Sequence, residues 1–144
     1  MTRAEWMGLL ARSAPDTLTA CLAGLGEMPK HSWLRAPEAG SVMVQGRTGG
    51  VGAPFNLGEV TATRCALRLE DGREGHAFVQ GRSRDHATRA ALVDALMQGT
   101  DADVVRQSVL EPLATEEAAH RDIIARKAEA TRVNFETLVR GEDA

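Results

Sequence analysis

The segment Leu69-Glu70-Asp71-Gly72-Arg73-Glu74 constrains the fold most strongly, because it joins two alternating apolar runs through an Asp-Gly pair. Asp-Gly pairs accept the positive φ angles of a tight β-turn, so the segment predicts an antiparallel hairpin. With Asp71 and Gly72 as the two loop residues, position 70 pairs with position 73. This register predicts one face with Cys65, Leu67, Leu69, His76 and Phe78, and an opposite face with Val60, Ala62, Ala66, Ala77 and Val79, beside Arg64 and Arg68.

Helical patterns flank a block of strand patterns. Four strand candidates span residues 31–35, 41–47, 59–69 and 74–81. An amphipathic pattern before them predicts a helix over residues 3–13, and a second helical stripe begins at Pro15 and ends at Gly24 and Gly26. Strands between runs of helices are typical of an α+β fold. We therefore predict a single domain over residues 1–144, with an antiparallel sheet of about four strands, an N-terminal helical hairpin and C-terminal helices.

The C-terminal half carries the remaining helical patterns. Ser83 is a good N-cap for a helix over about residues 84–98. Asp101 or Asp103 begins a further helix that Pro112 is expected to break, and Thr115 is expected to cap a charged helix over residues 116–131. Residues 141–144 are predicted to form a loose tail.

Both faces of the predicted hairpin carry apolar side chains, whereas a sheet with one solvated face alternates more cleanly. The helices of the chain can cover one face. The second face, with small residues and arginines, is either a surface for a partner or is also covered by helices.

One short phrase occurs twice: Val44-Gln45-Gly46-Arg47 and Val79-Gln80-Gly81-Arg82. In both copies an alternating run stops at a glycine and an arginine follows. Guanidinium groups and free backbone N–H groups bind oxyanions, although two ordinary strand exits would give the same pattern. This hypothesis makes Arg47, Gly49, Gly50, Gly52 and Arg82 anion-binding or interface candidates. Arg64 and Arg68, on one face of the hairpin, and His86, one helical turn in and near Arg82, complete the set of candidates.

Several kinds of chemistry have no motif in the chain. The glycine loop 49–52 lacks the Lys-Ser/Thr of a P-loop, and His86 has no nucleophile at triad spacing. Aromatic residues make up only 3% of the chain and its net charge is −3, which disfavours nucleic-acid binding by stacking or by charge. We therefore predict no catalytic residue in this chain.

The two cysteines, Cys21 and Cys65, lie in unlike contexts and have no metal-ligand spacing to the histidines. We expect both to be reduced and buried, and we expect no metal or cofactor in this chain. The N-terminus lacks the pattern of a signal peptide and no run is long and apolar enough to span a bilayer, so a cytoplasmic protein is expected.

An ordered series of segments covers nearly the whole chain. It consists of Glu5-Trp6-Met7, residues 35–40, 45–52, 58–65 and 79–82, His86, and residues 91–97 and 135–141. This series resembles the PhnG family, the G subunit of the bacterial carbon–phosphorus lyase core complex.

The resemblance implies a role in phosphonate catabolism. The family's complex contains H, I and J subunits and is aided by an ATPase-like L protein. It moves a phosphonate onto the ribose C1′ of ATP and releases adenine, so ATP and the phosphonate are substrates of the complex. The G subunit has no established catalytic residue, which implies an accessory role. Two alternatives from other classes are a small module that binds a phosphate ester through Arg47, Arg82 and the glycine loop, and a homodimeric scaffold.

Overall fold

The computed structural model of the chain describes residues 1–135. The predicted tail and most of segment 135–141 lie outside the described residues. The helices are α1 (Arg3–Arg12), α2 (Pro15–Ala23), α3 (Arg84–Leu96), α4 (Ala102–Val105) and α5 (Glu111–Ala130). The strands are β1 (His31–Arg47), β2 (Pro54–Leu69) and β3 (Glu74–Gln80), with a short 3₁₀ turn at Thr48–Gly50 and a π-helical turn at Arg106–Leu110.

The three strands form one antiparallel sheet in the order β1-β2-β3, which confirms the α+β prediction. The expected number of strands was four, because segments 31–35 and 41–47 were treated as separate. They belong to one strand, β1, which passes through Pro37 with register shifts on both sides of Arg35. Proline lacks an N–H donor and is tolerated in a strand at an edge or an irregularity, and β1 offers both.

The loop of the β2–β3 hairpin is one residue longer than predicted. Leu69 N donates to the Arg73 carbonyl at 2.9 Å and Gly72 N donates to the Leu69 carbonyl at 3.0 Å, so the loop contains three residues, 70–72. Gly72 has a φ of 92°, which suits the last position of such a loop.

A shift of one residue moves every side chain of β3 to the other face of the sheet. Cys65 pairs with Ala77 and Arg64 pairs with Phe78. The predicted assignment of the β3 side chains to faces is therefore wrong. Ala77 and Val79 lie on the core face with Cys65, whereas His76 and Phe78 share the opposite face with Arg64 and Arg68.

Helix α3 packs closely on the sheet because its buried side is made of small residues. Ala87, Ala91 and Ala95 are fully buried there. A Cβ atom on Gly75 would lie 1.9 Å from the carbonyl oxygen of Ala91, so this approach of helix and strand requires glycine. The predicted cap is confirmed, since the Ser83 side chain accepts a hydrogen bond from the backbone N–H of His86.

Pro112 does not break the C-terminal helical segment, contrary to the prediction. The π-helical turn precedes it, with the Glu111 N–H donating to the Arg106 carbonyl, and α5 begins at Glu111 with Pro112 in its first turn. A wider turn accommodates a proline ring and its missing donor. Thr115 is consequently not an N-cap but lies inside α5, where its hydroxyl donates to the Glu111 carbonyl at 2.9 Å.

Across residues 1–135, no helix has the length and apolar character needed to cross a membrane.

Candidate functional site

The distal parts of β1 and β2 form a ribbon that leaves the body of the protein. The last pair between β2 and β3 joins Ala62 to Gln80, whereas β1 and β2 remain paired as far as Arg47 and Pro54. We call residues 41–61 the arm. None of its residues is buried, and at a rise of ~3.4 Å per residue its β2 strand extends roughly 24 Å beyond the three-stranded sheet.

The arm presents apolar side chains and free strand edges. Within residues 1–135, no third strand pairs with it. Its only charged residues are Arg47 and Glu59. Large apolar side chains that are 37% to 91% exposed project from it: Val42, Met43, Val51, Phe55 and Leu57. Two-stranded ribbons are only marginally stable by themselves in water, and exposed apolar strand edges mark sites of pairing or docking.

The tip of the arm holds the glycine loop. Gly49 and Gly50 have φ angles of 63° and 84°, which suit glycine. The loop is closed on itself, because Gly52 N donates to the Thr48 carbonyl at 2.8 Å and the Arg47 guanidinium donates to the Gly52 carbonyl at 3.2 Å. The first Gln-Gly-Arg phrase therefore ends in a compact exposed loop.

The candidate arginines on the sheet already have intramolecular partners. Nε of Arg64 lies 2.7 Å from Oε1 of Glu38, which Arg35 also contacts at 2.8 Å. Nε of Arg68 lies 3.1 Å from Oε1 of Glu74. These guanidinium groups lower the pKa of Glu38 and of Glu74 below the usual range. All of these side chains remain about half exposed, so their pairs can be exchanged for contacts with another molecule.

The second phrase ends at Arg82, which is exposed between β3 and α3 and forms no ion pair within residues 1–135. Gly81, which precedes Arg82, lies beside Thr61 of β2, because its N–H donates to the Thr61 carbonyl. Arg47 lies beside Pro54, which is seven residues away from Thr61 on the same strand. The two arginines are thus separated by roughly 24 Å along the strand. The structure does not bring Arg47 and Arg82 together.

His86 lies away from both arginine groups in the interior. Only 2% of the residue is exposed, and Nε2 lies 3.0 Å from the carbonyl oxygen of Leu10. Burial lowers its pKa, so the ring is neutral and presents no positive charge to an anion.

Among the described residues, neither cysteine is a reactive thiolate and no group of side chains forms a metal site. Burial raises the pKa of Cys65 to about 11, which keeps it protonated. Cys21 is only partly buried, contrary to the expectation, and this partial burial raises its pKa. Within residues 1–135, no three His, Cys, Asp or Glu side chains are grouped so that they could hold a metal ion.

The sequence interpretation missed Asp94, a fully buried carboxylate that joins three elements. Its oxygens accept hydrogen bonds from the Arg3 guanidinium at 2.8 Å, from Trp6 Nε1 at 2.9 Å and from the backbone N–H of His76 at 2.9 Å. A carboxylate within the apolar stripe of a helix was the available indication. It ties α1, α3 and β3 into one body that supports the arm.

The ordered segments that suggested a family thus occupy defined places: Trp6 and segment 91–97 meet at Asp94, and segment 45–52 and residues 58–61 lie in the arm. The profile of the family described as "Phosphonate metabolism protein PhnG" matches residues 1–141. The chain belongs to the PhnG family. A PhnG relative from Rhizobium meliloti (strain 1021), the alpha-D-ribose 1-methylphosphonate 5-triphosphate synthase subunit PhnG, is 42% identical over 145 aligned positions, covering 98% of this chain and 90% of the relative. The resemblance predicted from the ordered segments is confirmed.

Proposed function

We propose that this PhnG-family chain is a non-catalytic subunit of an alpha-D-ribose 1-methylphosphonate 5-triphosphate synthase. In this role it supports the transfer of a phosphonate to the ribose C1′ of ATP, with release of adenine, during phosphonate catabolism. The name of the 42% identical relative supports membership of such an enzyme. The observation that carries a structural role is the arm, a ribbon of 21 residues (41–61) without a buried residue.

The chemistry of the described residues supports an accessory role. Displacement of adenine needs an activated nucleophile and a group that stabilises the developing ribosyl cation. Of the buried titratable side chains, Asp94 accepts four hydrogen bonds from Arg3, Trp6 and His76, and Cys65 is a protonated thiol in the core. His86 is held by the Leu10 carbonyl and, within residues 1–135, has no nucleophile beside it to activate. Catalysis is accordingly assigned to partner subunits, and ATP and the phosphonate are substrates of the assembled complex.

The proposed partners are the H, I and J subunits of the carbon–phosphorus lyase core complex and the ATPase-like L protein, in the cytoplasm. The arm supplies strand edges and apolar side chains for such a contact. Arg82 and the arm-tip Arg47, Gly49, Gly50 and Gly52 are proposed to contact a partner or a phosphate at a shared site. Arg64 and Arg68 contribute from the sheet by exchanging their present carboxylate partners.

The alternative phosphate-ester module requires Arg47, Arg82 and the glycine loop to act on one ligand. Arg82 lies roughly 24 Å along β2 from Arg47 and its glycine loop, and this separation disfavours that function for the isolated chain. A homodimer through the arm has the same strand edges available, and the experiment below distinguishes it from a mixed complex.

Co-expression of the tagged chain with the H, I and J subunits tests the proposal. We expect a stable mixed complex on size exclusion, adenine release from ATP and methylphosphonate by the complex with the L protein, and none by the isolated chain. A tagged chain recovered only as a homodimer, or adenine release by the pure chain, would contradict it.

Arg82→Ala tests the arginine contact within the same assay. Since this side chain is exposed and forms no ion pair within residues 1–135, we expect thermal melting of the lone variant to match the parent chain. Recovery of the complex is expected to fall, because an unpaired buried charge on a partner costs about 2–5 kcal/mol. The control is Arg126→Ala, which removes an exposed arginine that pairs with Asp122 on α5 and should leave assembly unchanged.

A further inference from the structure

The face of the sheet that lies opposite the helical core is open to solvent. Phe78 of β3 is 52% exposed there, and the side chains of Arg35, Glu38 and Arg64 are about half exposed. A groove of about 340 Å³ crosses this face next to the base of the arm, and we call it the outer groove. Gly40 and Ala62 form its floor, Val42 of β1 and Phe78 of β3 border it, and Glu38 and Arg64 line one end.

The floor of the outer groove leaves room for a side chain from another molecule. The Ala62 side chain ends at its Cβ atom, and a Cβ atom built on Gly40 would meet nothing within 4 Å. Val42 and Phe78, which are 37% and 52% exposed, offer apolar surface beside that space. An apolar side chain placed between them would be buried together with their own exposed surface, which favours docking.

The polar end of the outer groove holds more positive than negative charge. Oε1 of Glu38 accepts a hydrogen bond from Nε of Arg64 at 2.7 Å and another from Nη1 of Arg35 at 2.8 Å. Two guanidinium groups thus share one carboxylate oxygen, which leaves the cluster with a net positive charge. Each guanidinium group has further N–H donors in a fork that matches a carboxylate. A second carboxylate would therefore complement the cluster in charge and in geometry.

We propose that the outer groove docks a segment of a partner subunit in which a large apolar side chain lies next to an aspartate or a glutamate. The apolar side chain fills the space above Gly40 and Ala62, and the carboxylate binds Arg35 and Arg64. Complementary charge selects an acidic segment over a basic one. This contact depends on the proposed assembly role, and it is separate from the strand edges of the arm.

Competition for the partner subunits tests this contact. A ¹⁵N-labelled parent chain and an equimolar unlabelled variant are mixed with the H, I and J subunits. Mass spectrometry of the complex isolated by size exclusion then gives the ratio of the two chains. Thermal melting of each lone variant establishes that it folds. Incorporation of the labelled parent chain by itself tests the proposed function separately from the outer groove.

Two matched neutral substitutions separate docking from an ion pair that only braces the sheet. Arg64→Gln should be incorporated at least ~30-fold less than the parent chain, because it leaves a partner's charge unpaired at the interface. Glu38→Gln removes the carboxylate that competes for the two arginines, and should be incorporated at least as well as the parent chain. Both variants should melt near the parent temperature, because exposed ion pairs contribute little to stability.

Gly40→Phe tests the apolar part of the groove. The substitution fills the groove from an exposed position that has room for a side chain, so the variant should fold and be excluded from the complex to a similar extent. The control is Arg126→Gln, which neutralises an exposed arginine that pairs with Asp122 on α5 and should compete equally with the parent chain.

The docking contact is overturned, while the proposed function stands, if the labelled parent chain enters the complex and either Arg64→Gln or Gly40→Phe competes equally with it. Equal losses for Glu38→Gln and Arg64→Gln would overturn it as well. A lone parent chain that dimerises, and that Gly40→Phe converts to a monomer, would assign the groove to a second copy and also overturn the proposal. A labelled parent chain that enters no complex contradicts the proposed function and, with it, this contact.

Discussion

Asp94 shows at the scale of one residue how the body is held together. Its carboxylate is fully buried and receives hydrogen bonds from Arg3, Trp6 and the backbone of His76. Because these donors belong to α1 and β3, the side chain of one residue on α3 fixes the positions of two other elements. Removing it leaves the partly buried Trp6 and His76 donors without their acceptor.

Asp94→Ala should therefore lower the free energy of unfolding by about 1–3 kcal/mol, because the partly buried Trp6 and His76 donors lose their acceptor, whereas the 45% exposed Arg3 side chain returns to water. Urea denaturation followed by circular dichroism measures this change. The matched control is Asp85→Ala, which removes an exposed carboxylate from the same helix and should cost less than ~1 kcal/mol. Equal effects of the two substitutions would show that the Asp94 network does not stabilise the body.

His86 should make stability depend on pH on the acid side of neutrality. Burial lowers its pKa in the folded chain, so the unfolded chain takes up a proton near its ordinary pKa of ~6.5 while the folded chain does not. The contribution of the neutral ring is fully present above that pH and is lost as the pH falls towards the folded-state pKa.

Between about pH 7 and about pH 5.5, the free energy of unfolding should thus fall more steeply for the parent chain than for His86→Gln, which cannot titrate. Denaturant titrations across this range provide the two slopes. The lowered carboxyl pKa values of Glu38, Glu74 and Glu117 belong to both proteins and cancel in the comparison. Parallel curves would contradict the assignment of a buried neutral ring.

At the scale of elements, the contact between α3 and β3 depends on the absence of a side chain at Gly75. A Cβ atom there would overlap the Ala91 carbonyl oxygen at 1.9 Å. Gly75→Ala should destabilise the chain by about 1–3 kcal/mol or more, because helix and strand must separate. Gly58→Ala is the matched control, since Gly58 is also in a strand and its Cβ would meet nothing within 4 Å. Thermal melting that falls equally for both would show that the close approach is not required.

Element types were predictable from local patterns, but register and continuity were not. The Asp71-Gly72 pair located the hairpin correctly, yet such a pair suits a two-residue or a three-residue loop. The packing of Ala77 and Val79 beneath α3 selects the longer loop, and this is information from distant parts of the chain. Segments 31–35 and 41–47 were expected to be separate strands and Pro112 was expected to break a helix, but the edge strand β1 passes through Pro37 and a π-helical turn accommodates Pro112.

The candidate residues were identified as types, while their positions relative to one another depended on the sheet. Arg47 and Arg82 follow identical phrases but lie far apart, because β2 continues well beyond the end of β3. The hydrogen bond from the His86 ring to Leu10 likewise joins residues that are 76 positions apart. The side-chain hydrogen bonds of Asp94 join residues that are at least 18 positions apart. No local pattern specifies such contacts.

At the scale of the whole molecule, the body and the arm differ in what stabilises them. The hydrophobic core contains side chains from the helices and from the proximal sheet, and none from residues 41–61. The free energy of unfolding of the body should therefore be nearly independent of the arm. A chain in which Asn-Gly replaces residues 42–60, joining the paired residues Ser41 and Thr61 by a two-residue turn, should retain the parent melting temperature within a few degrees.

Reconstitution of this arm-shortened chain with the H, I and J subunits tests the central claim, that the chain acts as an assembly subunit through its arm. The parent chain and Arg126→Ala serve as controls, and circular dichroism establishes that each chain is folded before mixing. We predict that the shortened chain stays folded but is lost from the complex on size exclusion, and that adenine release by the mixture falls with it. A folded, arm-shortened chain that enters the complex as fully as the parent chain would contradict the account.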